Sequence, residues 1–134
     1  MILVDAGPLV AIVDADDQHH ANCTAALKLV REPLATVWPA LTEAMYLLSD
    51  LPRAQDALWE MLARGAVELL ALDVSDTPRI RELMHKYADR SMDLADAALV
   101  RAAEREDVRK IFTVDKKDFF VYRMHDKTRF VVIP

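Results

Sequence analysis

A chain of 134 residues that is 53% hydrophobic with only two glycines is long enough to bury a real core and too apolar to stay disordered. No apolar run approaches the roughly 18–20 residues that span a bilayer, and no basic segment precedes the first apolar run, so a signal peptide is not expected. The formal charge is −5, and the single cysteine, Cys23, excludes an internal disulfide, which suits a reducing cytoplasm.

Ile2 to Val4 reads as a short buried strand, followed by the turn signal Ala6-Gly7-Pro8 and a short helix over Leu9 to Val13. Asp14 to Asp17 is an acidic break before a helix near His20 to Arg31, which holds Cys23 as a buried structural thiol. Thr36 to Trp38 is the second strand, ended by Pro39. Helices follow over Ala40 to Ser49 and Arg53 to Ala63, the second with helical apolar spacing at Ala54, Ala57, Leu58, Met61 and Leu62 and with Gly65 as its stop. Val67 to Leu72 is the third strand. Thr77 and Pro78 start a helix that runs to Tyr87, and Ser91 caps the next, which continues through Ala103. Lys110 to Val114 and Arg129 to Ile133 complete five strands. Strands alternating with helices predict one three-layer α/β domain over residues 1–134 with a mainly parallel sheet.

On this reading four acids fall where strands end and helices begin: Asp5, Glu43, Asp96 and Asp115. Such positions converge at the carboxyl edge of a parallel sheet, where open α/β folds bind ligands. Clustered carboxylates repel and are costly to desolvate unless a cation compensates them. Mg²⁺ and Mn²⁺ prefer hard oxygen ligands, acidify an attacking water and stabilise a transferring phosphoryl group. The pattern therefore points to a divalent-metal site and a nuclease, with Thr113 placed to orient a carboxylate or a water. Each acid also has a plainer role. Asp5 can cap a helix, Glu43 and Asp93 can be first-turn acids, Asp115 can sit in a turn and Asp118 can cap a helix. Asp96, set deeper in an apolar helix, has no such role at low cost.

Charge is unevenly spread: residues 1–78 hold 4 Lys/Arg against 12 Asp/Glu, whereas residues 79–134 hold 13 against 10. Arg101, Arg105, Arg109, Lys110, Lys116, Lys117, Arg123, Lys127 and Arg129 are thus expected to form a basic rim for a phosphodiester substrate. His19, His20 and His85 lack the spacing of a zinc site. Trp38 and Trp59 are expected in the core, and no phosphate-binding glycine loop is present.

Four segments in this order resemble the PIN-domain ribonucleases, in particular the VapC-type toxins of VapBC toxin–antitoxin systems. They are Met1-Ile2-Leu3-Val4-Asp5-Ala6-Gly7-Pro8, Leu41-Thr42-Glu43-Ala44, Met92-Asp93-Leu94-Ala95-Asp96-Ala97-Ala98-Leu99-Val100 and Phe112-Thr113-Val114-Asp115-Lys116-Lys117-Asp118-Phe119. The resemblance implies a PIN-like α/β/α fold and an endoribonuclease dependent on Mg²⁺ or Mn²⁺. Asp5, Glu43, Asp96 and Asp115 match the family's acidic quartet, with Asp93 and Asp118 as accessory metal-binding acids. It also implies an RNA substrate, a small antitoxin partner and a homodimer. The family's first motif commonly has Ser or Thr soon after its Asp, whereas Ala6 and Gly7 stand here. Two other classes compete: a non-catalytic RNA- or protein-binding module, which needs no full acidic set, and a receiver-like phosphoacceptor, which would need an acidic neighbour beside Asp5.

Overall fold

The computed structural model describes residues 1–134. Five short strands, β1 (Ile2–Val4), β2 (Leu34–Val37), β3 (Val67–Leu70), β4 (Lys110–Phe112) and β5 (Val131–Ile133), form one sheet in the order β3-β2-β1-β4-β5. Every pairing is parallel, and Leu3 of β1 lies opposite Ala35 of β2 and Ile111 of β4. The helices are α1 (Ala6–Val13), α2 (His20–Leu29), α3 (Trp38–Leu47), α4 (Pro52–Ala63), α5 (Thr77–Lys86), α6 (Leu94–Glu106) and α7 (Lys116–Val121).

Because side chains alternate across a strand, each central strand feeds two cores. Ile2, Val4, Leu34 and Phe112 pack with Leu9 of α1, Cys23 of α2, Leu41 of α3 and Leu58 of α4. Leu3, Ala35, Val37 and Ile111 pack on the other face with Leu83 of α5, Leu99 of α6, and Phe119 and Tyr122 at α7. This is the expected three-layer α/β/α architecture. Side chains such as Leu3 and Leu9 are fully buried, and each contributes roughly 1.5–3 kcal/mol. The chain builds outward from β1 to β3, then returns to add β4 on the other side of β1. The crevice between the carboxyl ends of β1 and β4 is therefore the topological switch point.

Several local expectations shift. Trp38 is the first residue of α3, with Pro39 in its first turn, where a missing N–H costs nothing. Asp5 caps α1, which starts at Ala6 instead of Leu9. Ser91 does not cap α6; it adopts a left-handed conformation (φ 55°), and Asp93 is the cap. Thr77 is not a cap either. Asp73 caps a 3-10 turn over Val74–Asp76, and Asp76 answers by accepting from the Asp73 N–H at 2.9 Å. Trp38 and Trp59 are 52% and 48% exposed, so neither is a core residue. Gly65 does end α4: at φ 77° it lets its own N–H reach Leu62 O and the Ala66 N–H reach Met61 O, satisfying the last carbonyls.

Candidate metal centre

The local chemistry of β1 places the first acid. Asp5 follows the strand, donates its N–H to Phe112 O at 2.9 Å, and so ties the ends of β1 and β4 together. One carboxylate oxygen accepts the Ala6 N–H at 2.8 Å and the other accepts the Thr113 hydroxyl at 2.9 Å. Thr113 Oγ1 in turn accepts the Asp115 N–H at 2.9 Å, so one buried threonine orients two acidic positions. Gly7 is required for this closeness: a Cβ there would collide with the Val114 side chain between β4 and α7.

Asp93 and Asp96 form a reciprocal box at the start of α6. Asp93 Oδ1 accepts the Asp96 N–H at 2.8 Å, and Asp96 Oδ2 accepts the Asp93 N–H at 3.4 Å. Asp96 is thus a first-turn residue, nearer the helix dipole than its apolar neighbours suggest. Its Oδ2 also accepts the hydroxyl of Tyr122 at 3.2 Å. Glu43 lies on α3 beside a groove of about 560 Å³ that it shares with Thr42, Tyr46, Asp93 and Leu94. Asp115 occupies the cap position of α7 without a capping bond, which makes Asp118 a first-turn acid and not a cap. Asp118 Oδ1 is held by the Arg90 guanidinium at 3.0 and 3.2 Å.

The acids feel one another's charge, although no three acidic, histidine or cysteine side chains stand close enough to enclose an ion. Burial raises the Asp5 carboxyl above the usual range against two hydrogen bonds that lower it, and Asp93 raises it further. Glu43 is raised by desolvation and then by Asp93, Asp5 and Asp115. Desolvation followed by the charges of Asp93 and Asp5 pushes Asp96 up to about 8. Asp115 is raised to about 6 by partial withdrawal from water, then by Asp118 and Asp5. Of the chain's ion pairs only Arg90–Asp118 touches any of these acids, so the others have no cationic partner in the protein.

The basic rim is smaller than expected. Arg101 and Arg105 are bound by Asp76, at 2.8 and 2.9 Å. Lys110 pairs with Glu32 at the amino end of β4, away from the acids. Arg123 donates to the carbonyls of Phe120, Val121 and Tyr122 at the end of α7. Lys116 and Lys117, exposed in the first turn of α7, remain beside Asp115. Sequence reasoning passed over Arg90 and Tyr122, because their partners lie 28 and 26 residues away and no local spacing signals them.

A small protein with a wholly parallel five-stranded sheet between helices belongs to the open α/β class. Within it, this chain is a member of the PIN-domain family, whose profile matches residues 2–123. It is 30% identical to Ribonuclease VapC26 of Mycobacterium tuberculosis (strain ATCC 25618 / H37Rv) over 135 residues, spanning 99% of this chain and all of the relative. Among solved structures it is similar in fold to Mycobacterium tuberculosis VapC20, described as a Sarcin-Ricin loop cleaving toxin (TM-score 0.78, 18% identity, 88% of this chain and 94% of the other). A toxin–antitoxin complex from Klebsiella pneumoniae matches at TM-score 0.67 and 18% identity over 89% and 90% of the two chains. VapBC2 from Rickettsia felis, bound to a promoter DNA fragment, matches at 0.63 and 14% identity over 98% and 97%.

Proposed function

We propose that this chain is an endoribonuclease of the VapC type, the toxin of a toxin–antitoxin pair, which hydrolyses RNA phosphodiester bonds with Mg²⁺ or Mn²⁺. The observation that carries this reading is the gathering of Asp5, Glu43, Asp96 and Asp115 at the switch point with their carboxyls raised and no protein cation among them. Acids that raise one another in this way, with Asp5 itself buried, fit a divalent cation. No three acidic, histidine or cysteine side chains stand close enough to enclose an ion alone. That suits Mg²⁺, which keeps several waters and takes only one or two carboxylates directly. The ribonuclease name of the full-length relative and the toxin–antitoxin titles of the structural neighbours support the same activity.

One or two of Asp5, Glu43, Asp96 and Asp115 would ligate the cation directly while the others hold its waters, and Asp93 and Asp118 shape the field around them. When bound, the cation supplies an acidified water and stabilises charge on the phosphoryl group in flight. Thr113 keeps Asp5 and the start of α7 in register, Arg90 holds Asp118 beside Asp115, and Lys116 and Lys117, exposed next to Asp115, would meet the approaching phosphates. The exposed apolar side chains Trp38, Tyr46, Leu47 and Leu94 on α3 and α6 offer surface for a protein partner, here a small antitoxin or a second copy. An RNA substrate and the free, buried Cys23 both suit a reducing cytoplasm.

The deciding experiment is cleavage of a mixed RNA pool by purified protein with Mg²⁺ or Mn²⁺. EDTA is expected to stop it, and Asp5→Asn and Asp96→Asn to lower it at least about 100-fold with the fold intact. Undiminished cutting by both variants would overturn the site assignment.

A further inference from the structure

The side chain of Tyr122 is fully buried, and its hydroxyl is the one polar atom in that side chain. A phenol so enclosed needs a partner, and the one it finds is Asp96 Oδ2 at 3.2 Å. The ring cannot drift. Tyr87 meets it edge-on with centroids 5.0 Å apart, and Phe119 does the same at 5.1 Å. Its backbone N–H donates to Asp118 O at 2.9 Å, so the residue that closes α7 is also the one that reaches across to α6. The two oxygens of Asp96 consequently differ. Oδ2 accepts from Tyr122 and, at 3.4 Å, from the Asp93 N–H, whereas no protein group donates to Oδ1.

We propose that Tyr122 is a positioning residue of the acidic centre: its hydroxyl occupies Asp96 Oδ2, fixes the carboxylate on the first turn of α6, and leaves Oδ1 to the divalent cation. The proposal rests on the metal-centre reading above. Thr113 does the corresponding work for Asp5 through a hydroxyl, and here a phenol held by an aromatic cluster does it for Asp96. Donors behind a metal ligand orient it, and losing one lowers metal affinity about 10–100-fold.

The test is Tyr122→Phe, which deletes the hydroxyl and keeps the ring packing. Its matched control is Tyr87→Phe, which deletes another buried phenol, one that accepts the Arg123 N–H at 2.9 Å and touches no acid. Mn²⁺ calorimetry on the full chain is expected to show binding at least about tenfold weaker for Tyr122→Phe and unchanged for Tyr87→Phe. The Mn²⁺ concentration for half-maximal RNA cleavage should rise in step, with the rate at saturating Mn²⁺ little changed. In the Asp96→Asn background the Tyr122→Phe change should have no further effect on Mn²⁺ binding. Parent-like affinity in Tyr122→Phe, or equal loss in Tyr87→Phe, overturns the role of Tyr122 and leaves the metal centre standing. If the parent binds no Mn²⁺, or Asp96→Asn binds it as well as the parent, the metal-centre reading falls and this inference with it.

Discussion

Asp96 shows how one carboxylate carries several constraints at once. It answers the Asp93 cap, accepts from Tyr122, and sits in the field of Asp93 and Asp5, which with desolvation brings its carboxyl up to about 8 from an ordinary 3.8. A carboxyl raised in the folded state binds a proton more tightly there than in the unfolded chain. Its contribution to stability is therefore complete below about pH 4 and is lost as pH rises towards 8. Asp115, at about 6, adds to the same decline over its lower part. In EDTA, urea unfolding should accordingly show stability falling between pH 5 and pH 8, and Asp96→Asn should flatten that fall. An equally steep decline in the variant would place its source elsewhere. Asp5, Asp96 and Asp115 were legible as acids at element ends because a carboxylate beside a strand end or a helix start is visible in residue order. Glu43, expected in the first turn of its helix, lies beyond the first turn of α3. Tyr122 was not legible, since an aromatic run reads as core whichever helix its one polar atom addresses.

At the scale of elements, ends matter more than interiors. α1 begins on Asp5, α6 on the Asp93–Asp96 box and α7 on Asp115, so the starts of three helices carry four of the candidate acids. Carboxylates favoured at helix starts for local reasons were thus available for a site. The turn before α5 makes the opposite use of a carboxylate. Asp76 is fully buried; desolvation works to raise it, but the Asp73 N–H, Arg101 and Arg105 prevail and hold it below the usual range. It joins that turn to α6 and holds two of the arginines expected at the rim. Asp76→Ala should cost roughly 3 kcal/mol in chemical denaturation, the low end for breaking a buried pair, because both arginines are over a quarter exposed and can turn to water. The same substitution should leave Mn²⁺ affinity unaltered.

For the whole molecule, the sheet order and the charge pattern act together. With β1 and β4 adjacent at the switch point, Asp5 and Asp115 follow neighbouring strands, and the proposed centre joins Glu43 and Asp96 to them. A cation that binds only the folded chain must stabilise it by mass action. At a hundredfold excess over its dissociation constant, Mn²⁺ should add about 2.7 kcal/mol, a rise in melting temperature of roughly 10 °C, reversed by EDTA and absent in Asp5→Asn. No helix is long and apolar enough to cross a membrane.

Residue order by itself determined the alternation of strands and helices and the parallel three-layer plan. These rest on periodicity, on turn residues and on the few side chains that strand ends tolerate. Element boundaries slipped where two capping residues compete within three positions, as at Ser91 and Asp93, because local sequence leaves the choice to whichever side chain finds its N–H. The tertiary structure alone decided which charges stay unpaired. Arg101, Arg105 and Arg90 are neutralised by acids 25 to 29 residues away, Trp38 and Trp59 face outward, and a buried phenol reaches the acid of another helix. The physical reason is that hydrogen bonding and charge compensation depend on distance in space, and the chain acquires those distances only when both faces of the sheet are packed.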